Sequence, residues 1–232
     1  MTNNDEQKIY LTKHYSFFER ILLKKRVEIL SVLKKYLDNK EIIDVLDIGS
    51  TEDENNKSSN YLIKNLGNYK LYKSISDQTI KSKFFSKTLK KSITEDLNKS
   101  EIDDFKSDLV ISNATIEHVG SLENQIKMCS NIINLSKKYF IIVTPNRFHP
   151  FEFHTKIPFI HWLPKKIHRK ILKLIGLKFF SEEQNLNLLS EYEFKLIMKK
   201  LNQENFDIQN INFLFFKSNL ILIGKKIDNN FS

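Results

Sequence analysis

The chain is short of the residues that build unusual backbone and unusual covalent chemistry. It has 1 cysteine, 4 prolines and 5 glycines in 232 residues. A lone cysteine, Cys129, excludes an internal disulfide framework and cannot make a cysteine zinc site. It lies in the helix-like run LENQIKMCSNIINL and reads as a small buried hydrophobe. No residue is assigned to a metal. No apolar run is long enough to span a bilayer. The opening MTNNDEQK is polar and has no signal-peptide core, so a reducing cytoplasm is the expected home. Residues 1–14 read as a loose polar tail and residues 15–232 as a single domain.

What remains is a sequence with 41% hydrophobic residues, enough for one α/β domain with a sizeable core. Its formal charge is +9. A basic chain suits nucleic acid, anionic membrane or acidic substrates. The charge is unevenly spread. From Asn146 to Phe180 there are eight Lys/Arg (Arg147, Lys156, Lys165, Lys166, Arg169, Lys170, Lys173, Lys178) against one acid, Glu152. All four prolines, from Pro145 to Pro164, and His149, His154, His161, His168 and Trp162 share that neighbourhood. Residues 146–187 read as an insertion on the domain. Within it, KKIHRKILKLIGLKFF, residues 165–180, reads as a basic amphipathic helix. Such a helix suits peripheral contact with an anionic membrane, or packs its apolar face on the domain.

Helical and extended patterns alternate along the chain. YSFFERILLKKRVEILSVLKKYL, from Tyr15 to Leu37, has apolar residues at helical spacing. EIIDVLDIG reads as a buried strand, SSNYLIKNLG as a helix, NYKLYKSISD as a second strand and TLKKSITEDL as a weak third. SDLVISNA is the fourth strand. A helix capped by Ser121 follows, then KKYFIIVTP as the fifth strand and a helix from Ser190 to Leu201. FDIQNINFLFFKSNLILIGKK reads as an antiparallel hairpin turning near Lys217–Asn219. The pattern predicts an open, doubly wound, mostly parallel sheet with helices on both faces.

In such a sheet, ligands sit beyond the carboxyl ends of the strands. Those ends carry Asp47, Gly49 and Ser50 after the first strand, and Asp77 after the second. Glu95, Asp96 and Leu97 follow the third, and Asn113 and Ala114 the fourth. The loop VLDIGSTEDENN has one glycine where dinucleotide loops have two or three, and its acids repel a phosphate.

Here the sequence resembles the class I S-adenosylmethionine-dependent methyltransferases. VLDIGS looks like their first motif, Asp77 stands where they grip the ribose hydroxyls, and EDL looks like their adenine-reading pair. DLVISNATIEHV is similar to their fourth-strand signature. The resemblance implies a Rossmann-like seven-stranded sheet with a reversed last strand. It implies S-adenosylmethionine as cofactor, held by Asp47, Gly49, Ser50, Asp77, Glu95, Asp96, Leu97, Asn113 and Ala114. S-adenosylmethionine has no phosphate, so one glycine is compatible with it. More narrowly, TPNRFHPFEFHTKIPFIHWLPKKIH resembles a bacterial subgroup linked to surface-polysaccharide and lipid-linked glycan pathways. That implies a small-molecule or glycan acceptor, methylated at oxygen, in a pocket built by residues 146–187. His118, His149 and His154 are the candidate catalytic histidines, and Arg147 and Lys156 the candidate acceptor contacts. An RNA methyltransferase is the alternative carried by the basic segment. Against it, SNATIEH replaces the Asn-Pro-Pro-Tyr-type motif of many base-amine enzymes, and no RNA-binding module or DNA-binding motif is recognisable. A non-catalytic binding protein with the same fold is a third reading.

Overall fold

The computed structural model describes residues 17–53 and 59–226. The tail expected at 1–14 lies outside these residues, as does the run from Glu54 to Ser58.

Helix α1, Phe17–Leu37, buries Leu30, Leu33 and Leu37 on one face and leaves Lys34 and Lys35 exposed. Fully burying Leu33 is worth about 2 kcal/mol. Strand β1, Asp44–Ile48, leads to a short helix α2, Tyr61–Asn65, and then β2, Leu71–Ser76, and β3, Lys87–Lys90. Helix α3, Lys99–Phe105, opens on a capping box between Asn98 and Glu101. Then come β4, Ser107–Asn113, helix α4, Leu122–Leu135, and β5, Ser136–Pro145. Helices α5, Lys165–Leu174, and α6, Lys178–Ser181, follow after a long connection. The described chain closes with α7, Glu191–Lys200, and strands β6, Phe206–Phe213, and β7, Phe216–Lys225. The predicted caps are in place. Ser121 Oγ accepts from Asn124 N, and Ser190 forms a capping box with Glu193.

The sheet order is β3-β2-β1-β4-β5-β7-β6. Pairs among β1 to β5 are parallel, while β7 runs antiparallel to β5 and β6. The architecture is therefore the expected Rossmann-like sheet with a reversed last strand. β1 and β4 carry apolar side chains to both faces. Leu46, Ile48 and Val110 pack under α4 and α7. Val45, Leu109 and Ile111 pack under α1 and α2. Chain order reverses between β1 and β4, and the crevice beyond their ends is where this topology places ligands.

Two boundaries differ from the sequence reading. β3 stops at Lys90, so Glu95, Asp96 and Leu97 lie in a following loop. β3 is an edge strand, and Ile93 turns inward to the core just after it. The final hairpin turns at Leu214–Phe215, both at positive φ (49° and 68°), as a tight two-residue hairpin loop requires. The polar triplet 217–219 is strand. Ser218 is buried, with its hydroxyl donating to Ile211 O, and Asn219 pairs with Pro145.

Between β5 and α7 the chain forms a compact excursion around α5 and α6. The basic run 165–180 is thus broken, at Gly176 (φ +86°). Leu172, Phe180, Leu186 and Leu188 form a small core of its own. A parallel bridge between Asn146 and Leu189 closes its base.

Candidate active site

The β1 loop is glycine-poor because side-chain amides and hydroxyls hold it. Thr51 N donates to Asn60 Oδ1 (2.9 Å), and Asn60 Nδ2 returns to Thr51 O (2.9 Å). Glu52 N donates to Gln78 Oε1 (2.9 Å), and Ser76 Oγ to Ser50 O (2.7 Å). Gly49 is the one position of this loop where glycine is required. Its φ is +88°, and a Cβ there would overlap the Thr115 side chain. Thr115 belongs to the segment after β4, so the two strand ends are in close contact across the switch point.

Asp47 lies buried beneath this loop, hydrogen-bonded by the Ser50 hydroxyl. Burial pushes its carboxyl up to about 6, and the Ser50 bond only partly opposes that. No described lysine, arginine or histidine pairs with it. Asp77 directly follows β2 and is exposed. Asp96 is exposed and ion-paired with Lys127, which lowers its pKa. Glu95 accepts from Ser92 N, and Asn131 Nδ2 pins the carbonyls of Ile93 and Glu95. Leu97 packs half-buried on the main core.

Asn113 ends β4, and Ala114 takes a left-handed φ of 53° while its N–H still bonds Val143 O. That turn starts a single 3-10 turn, Ile116–His118. It sends Glu117 inward, fully buried, with Thr144 Oγ1 donating to its Oε2 (2.9 Å). Glu117 Oε1 is buried with no hydrogen-bond partner among the described residues. His118 Nδ1 donates to Asn185 O (2.7 Å), and its Nε2 stands 4.0 Å from Glu117 Oε1. The end of the excursion is stitched to the same turn. Asn187 N donates to Glu117 O (2.7 Å), and Asn187 Nδ2 to Gly120 O (2.7 Å).

From the excursion comes the turn FEFHT. Glu152 accepts from His154 N (2.9 Å), Thr155 N (2.5 Å) and His154 Nδ1 (2.6 Å). Burial opposes ionisation of Glu152, but the His154 imidazolium and these bonds outweigh it and hold the carboxyl down to about 2. For His154, burial lowers the pKa, but the Glu152 carboxylate and its hydrogen bond outweigh that and raise it. His118 and His154 meet edge to face, with ring centroids 4.9 Å apart.

The structure thus brings His118 and His154 together, with Glu117 and Glu152 beside them. It gives the other predicted acceptor residues different surroundings. His149 is buried, stacked on Phe153 at 5.1 Å and tilted against Phe213. Its carbonyl accepts from His161 Nε2 and Trp162 Nε1. Arg147 clamps the excursion, donating to His161 O (3.3 Å) and Leu163 O (3.0 Å) beside Glu193. Lys156 is exposed just after the FEFHT turn, at φ +60°. Glu117 and Glu152 were missed as site residues. The signal was present, because each adjoins or nearly adjoins a candidate histidine, in IEH and FEFH.

S-adenosylmethionine, the cofactor this topology implies, carries a sulfonium and an ammonium. The residues fit it. A buried carboxylate with no described cation against it lies under the β1 loop, the loop approaches too closely for a Cβ at Gly49, and an exposed acid follows β2.

No family model matches the chain, and neither does any curated protein. Solved structures do. Magnesium protoporphyrin IX methyltransferase from Synechocystis, with bound S-adenosylhomocysteine, is similar at a TM-score of 0.56 and 13% identity, covering 97% of this chain and 94% of that one. The toxoflavin-precursor N-methyltransferase of Burkholderia thailandensis gives 0.54 at 10% identity, covering 88% and 78%. The N-methyltransferase NodS of Bradyrhizobium japonicum, with S-adenosylhomocysteine, gives 0.52 at 10%, covering 91% and 89%. At these identities the likeness is one of fold: the chain has the fold of the class I S-adenosylmethionine-dependent methyltransferases.

Proposed function

We propose that the protein is an S-adenosylmethionine-dependent methyltransferase acting on an oxygen of a small molecule or glycan precursor. The observation that carries this is the division of the crevice at the switch point. Acids and a tight turn follow β1 and β2 on one side, and paired carboxylates and imidazoles follow β4 and β5 on the other.

When bound, S-adenosylmethionine supplies an electrophilic methyl carbon on sulfur. Asp77 would accept hydrogen bonds from the ribose hydroxyls. Gly49, Ser50, Asn113 and Ala114, with Asp47 beneath them, would hold the aminoacyl end, and Glu95, Asp96 and Leu97 would hold the adenine. Oxygen is favoured as the accepting atom because a neutral hydroxyl, unlike an amine, is a poor nucleophile until a base draws off its proton, and the His118–His154 pair beside two carboxylates offers such a group. His149 supports this cluster through the fold of the excursion rather than at the reacting atoms. Residues 146–187 form the acceptor side, with Lys156 on its exposed rim and Arg147 holding that rim in shape.

A lipid-linked acceptor is supported by α5 and the residue that follows it. This stretch buries Leu172 but leaves Ile167, Leu174 and Ile175 exposed among Lys165, Lys166, Lys170 and Lys173, the composition of a surface that rests on anionic lipid. No described helix is long and apolar enough to cross a membrane.

Calorimetric titration with S-adenosylmethionine and S-adenosylhomocysteine tests the reading. Micromolar binding is expected, weakened about tenfold or more in Asp77→Ala, the worth of a charge-assisted hydrogen bond. Folded protein that binds neither ligand would be a binding protein built on a methyltransferase fold.

A further inference from the structure

Glu117, His118 and His154 come from two segments far apart in sequence, and each offers one donor atom to a shared point. The three donors lie within 4.8 Å of one another. Around one first-row metal ion, nitrogen and oxygen ligands at about 2.1 Å stand about 3–3.5 Å apart. Small side-chain rotations close that gap.

We propose that these three residues bind a divalent first-row transition-metal ion such as Zn2+. Each ligand already has the outer partner that metal ligands require. Asn185 O accepts from His118 Nδ1, so the lone pair of that ring lies on Nε2. Glu152 accepts from His154 Nδ1, which leaves Nε2 of His154 as its ligand atom. Thr144 holds Glu117 Oε2 and leaves Oε1 buried with no described partner. A buried carboxylate oxygen without a donor costs free energy. A cation at this point removes that cost. The charge also balances once the ion displaces the Nε2 proton of the His154 imidazolium: two neutral imidazoles with two carboxylates, Glu117 and Glu152, match a dication. Two imidazoles and one carboxylate select a borderline transition ion over Mg2+ or Ca2+, which prefer all-oxygen sets. Three protein ligands leave positions open, the arrangement of a working site rather than a closed structural one. On the methyl-transfer reading, and only for this step, those positions would be open to the acceptor oxygen.

The test is calorimetric titration of chelator-stripped, tag-free protein with Zn2+, with Co2+ absorption spectra as a second readout of ligand geometry. One ion per chain is expected at micromolar affinity or tighter. Glu117→Gln and His154→Ala should each lower affinity about tenfold to a hundredfold or more, and Glu152→Gln by about tenfold. Asp77→Ala should bind Zn2+ like the wild type. Should His154→Ala fail to fold, Glu117→Gln and His118→Asn carry the test. Folded wild-type protein that takes up no Zn2+ or Co2+, or binding indifferent to Glu117→Gln and His118→Asn, overturns the proposal. Loss of S-adenosylmethionine binding alone would defeat the methyl-transfer reading and leave the metal site standing.

Discussion

Asp47, beneath the β1 loop, and Glu152, in the turn of the excursion, are both buried carboxylates, and their surroundings are opposite. Glu152 has two backbone N–H donors and an imidazole against it, and is held down to about 2. Among the described residues Asp47 has one hydroxyl and no cation against it, and is pushed up to about 6. The first carboxylate is satisfied by its own chain and fixes a turn. The second is offset by the rest of the fold and is relieved when a cation arrives. A perturbed carboxylate of the second kind is a candidate ligand site.

The largest effect is expected on the satisfied side. Glu152→Ala removes the partner of His154 and strands the N–H groups of His154 and Thr155. Breaking a buried pair in this way costs about 3–5 kcal/mol, read as a fall in the denaturation midpoint. Glu152→Gln keeps an acceptor for the backbone and loses only the charge, so its loss should be clearly smaller. Equal losses would mean that the ion pair, not the turn, carries the energy.

In the β1 loop the backbone matters more than the charge. Gly49→Ala places a methyl group against Thr115 in a left-handed conformation. Strain and overpacking together should cost about 2–4 kcal/mol, and S-adenosylmethionine binding should fall with them. A variant of unchanged melting temperature would show that the two strand ends separate easily.

Asp47→Asn is expected to act in the opposite direction. The folded pKa of Asp47, about 6, lies above its ordinary value of 3.8, so the folded state holds a proton that the unfolded state releases between those values. Stability from this group therefore rises as pH falls from about 6 to about 4, and its penalty is complete above about 6. The amide cannot ionise, so the substitution should stabilise the ligand-free protein at pH 8, by at most about 3 kcal/mol, and give no gain at pH 4. Thermal melts across that range check both sign and window. A loss of stability at pH 8 would show that ionised Asp47 has a cation partner after all.

The same contrast explains what the sequence made legible. Alternation of strand and helix and capping serines are local signals, and they located the sheet, its strands and its helix starts. The glycine-poor loop was legible as a departure, but not its remedy, because Asn60 and Gln78 reach it from neighbouring elements. The cluster after β4 and β5 was half legible. His118 and His154 stood out as histidines, but their meeting depends on how residues 185–187 dock against the turn after β4. Spacing in sequence carries no trace of that docking. His149 and Arg147 looked like their neighbours in composition and differ only in what surrounds them. The hairpin turn was misplaced because polarity suggested it at 217–219, while the chain turns at two exposed apolar residues.

The smallest effect expected is also the most specific. Ser50→Ala deletes the one hydroxyl that bonds Asp47 and leaves the loop's backbone bonds, including Ser76 Oγ to Ser50 O, in place. A single hydrogen bond to a charged group is worth about 1.5 kcal/mol. Its loss matters most when Asp47 is ionised, so the cost should be larger at pH 8 than at pH 5, where the folded carboxyl is mostly protonated. The pKa of Asp47, followed by the pH dependence of stability, should rise further. Bound S-adenosylmethionine should shrink the difference between Ser50→Ala and wild type, because its positive charges take over the role of the missing hydroxyl. A Ser50→Ala penalty that is the same at both pH values and unmoved by ligand would place the hydroxyl's role with Ser74, whose Oγ lies 2.8 Å from Ser50 Oγ, and not with the buried acid.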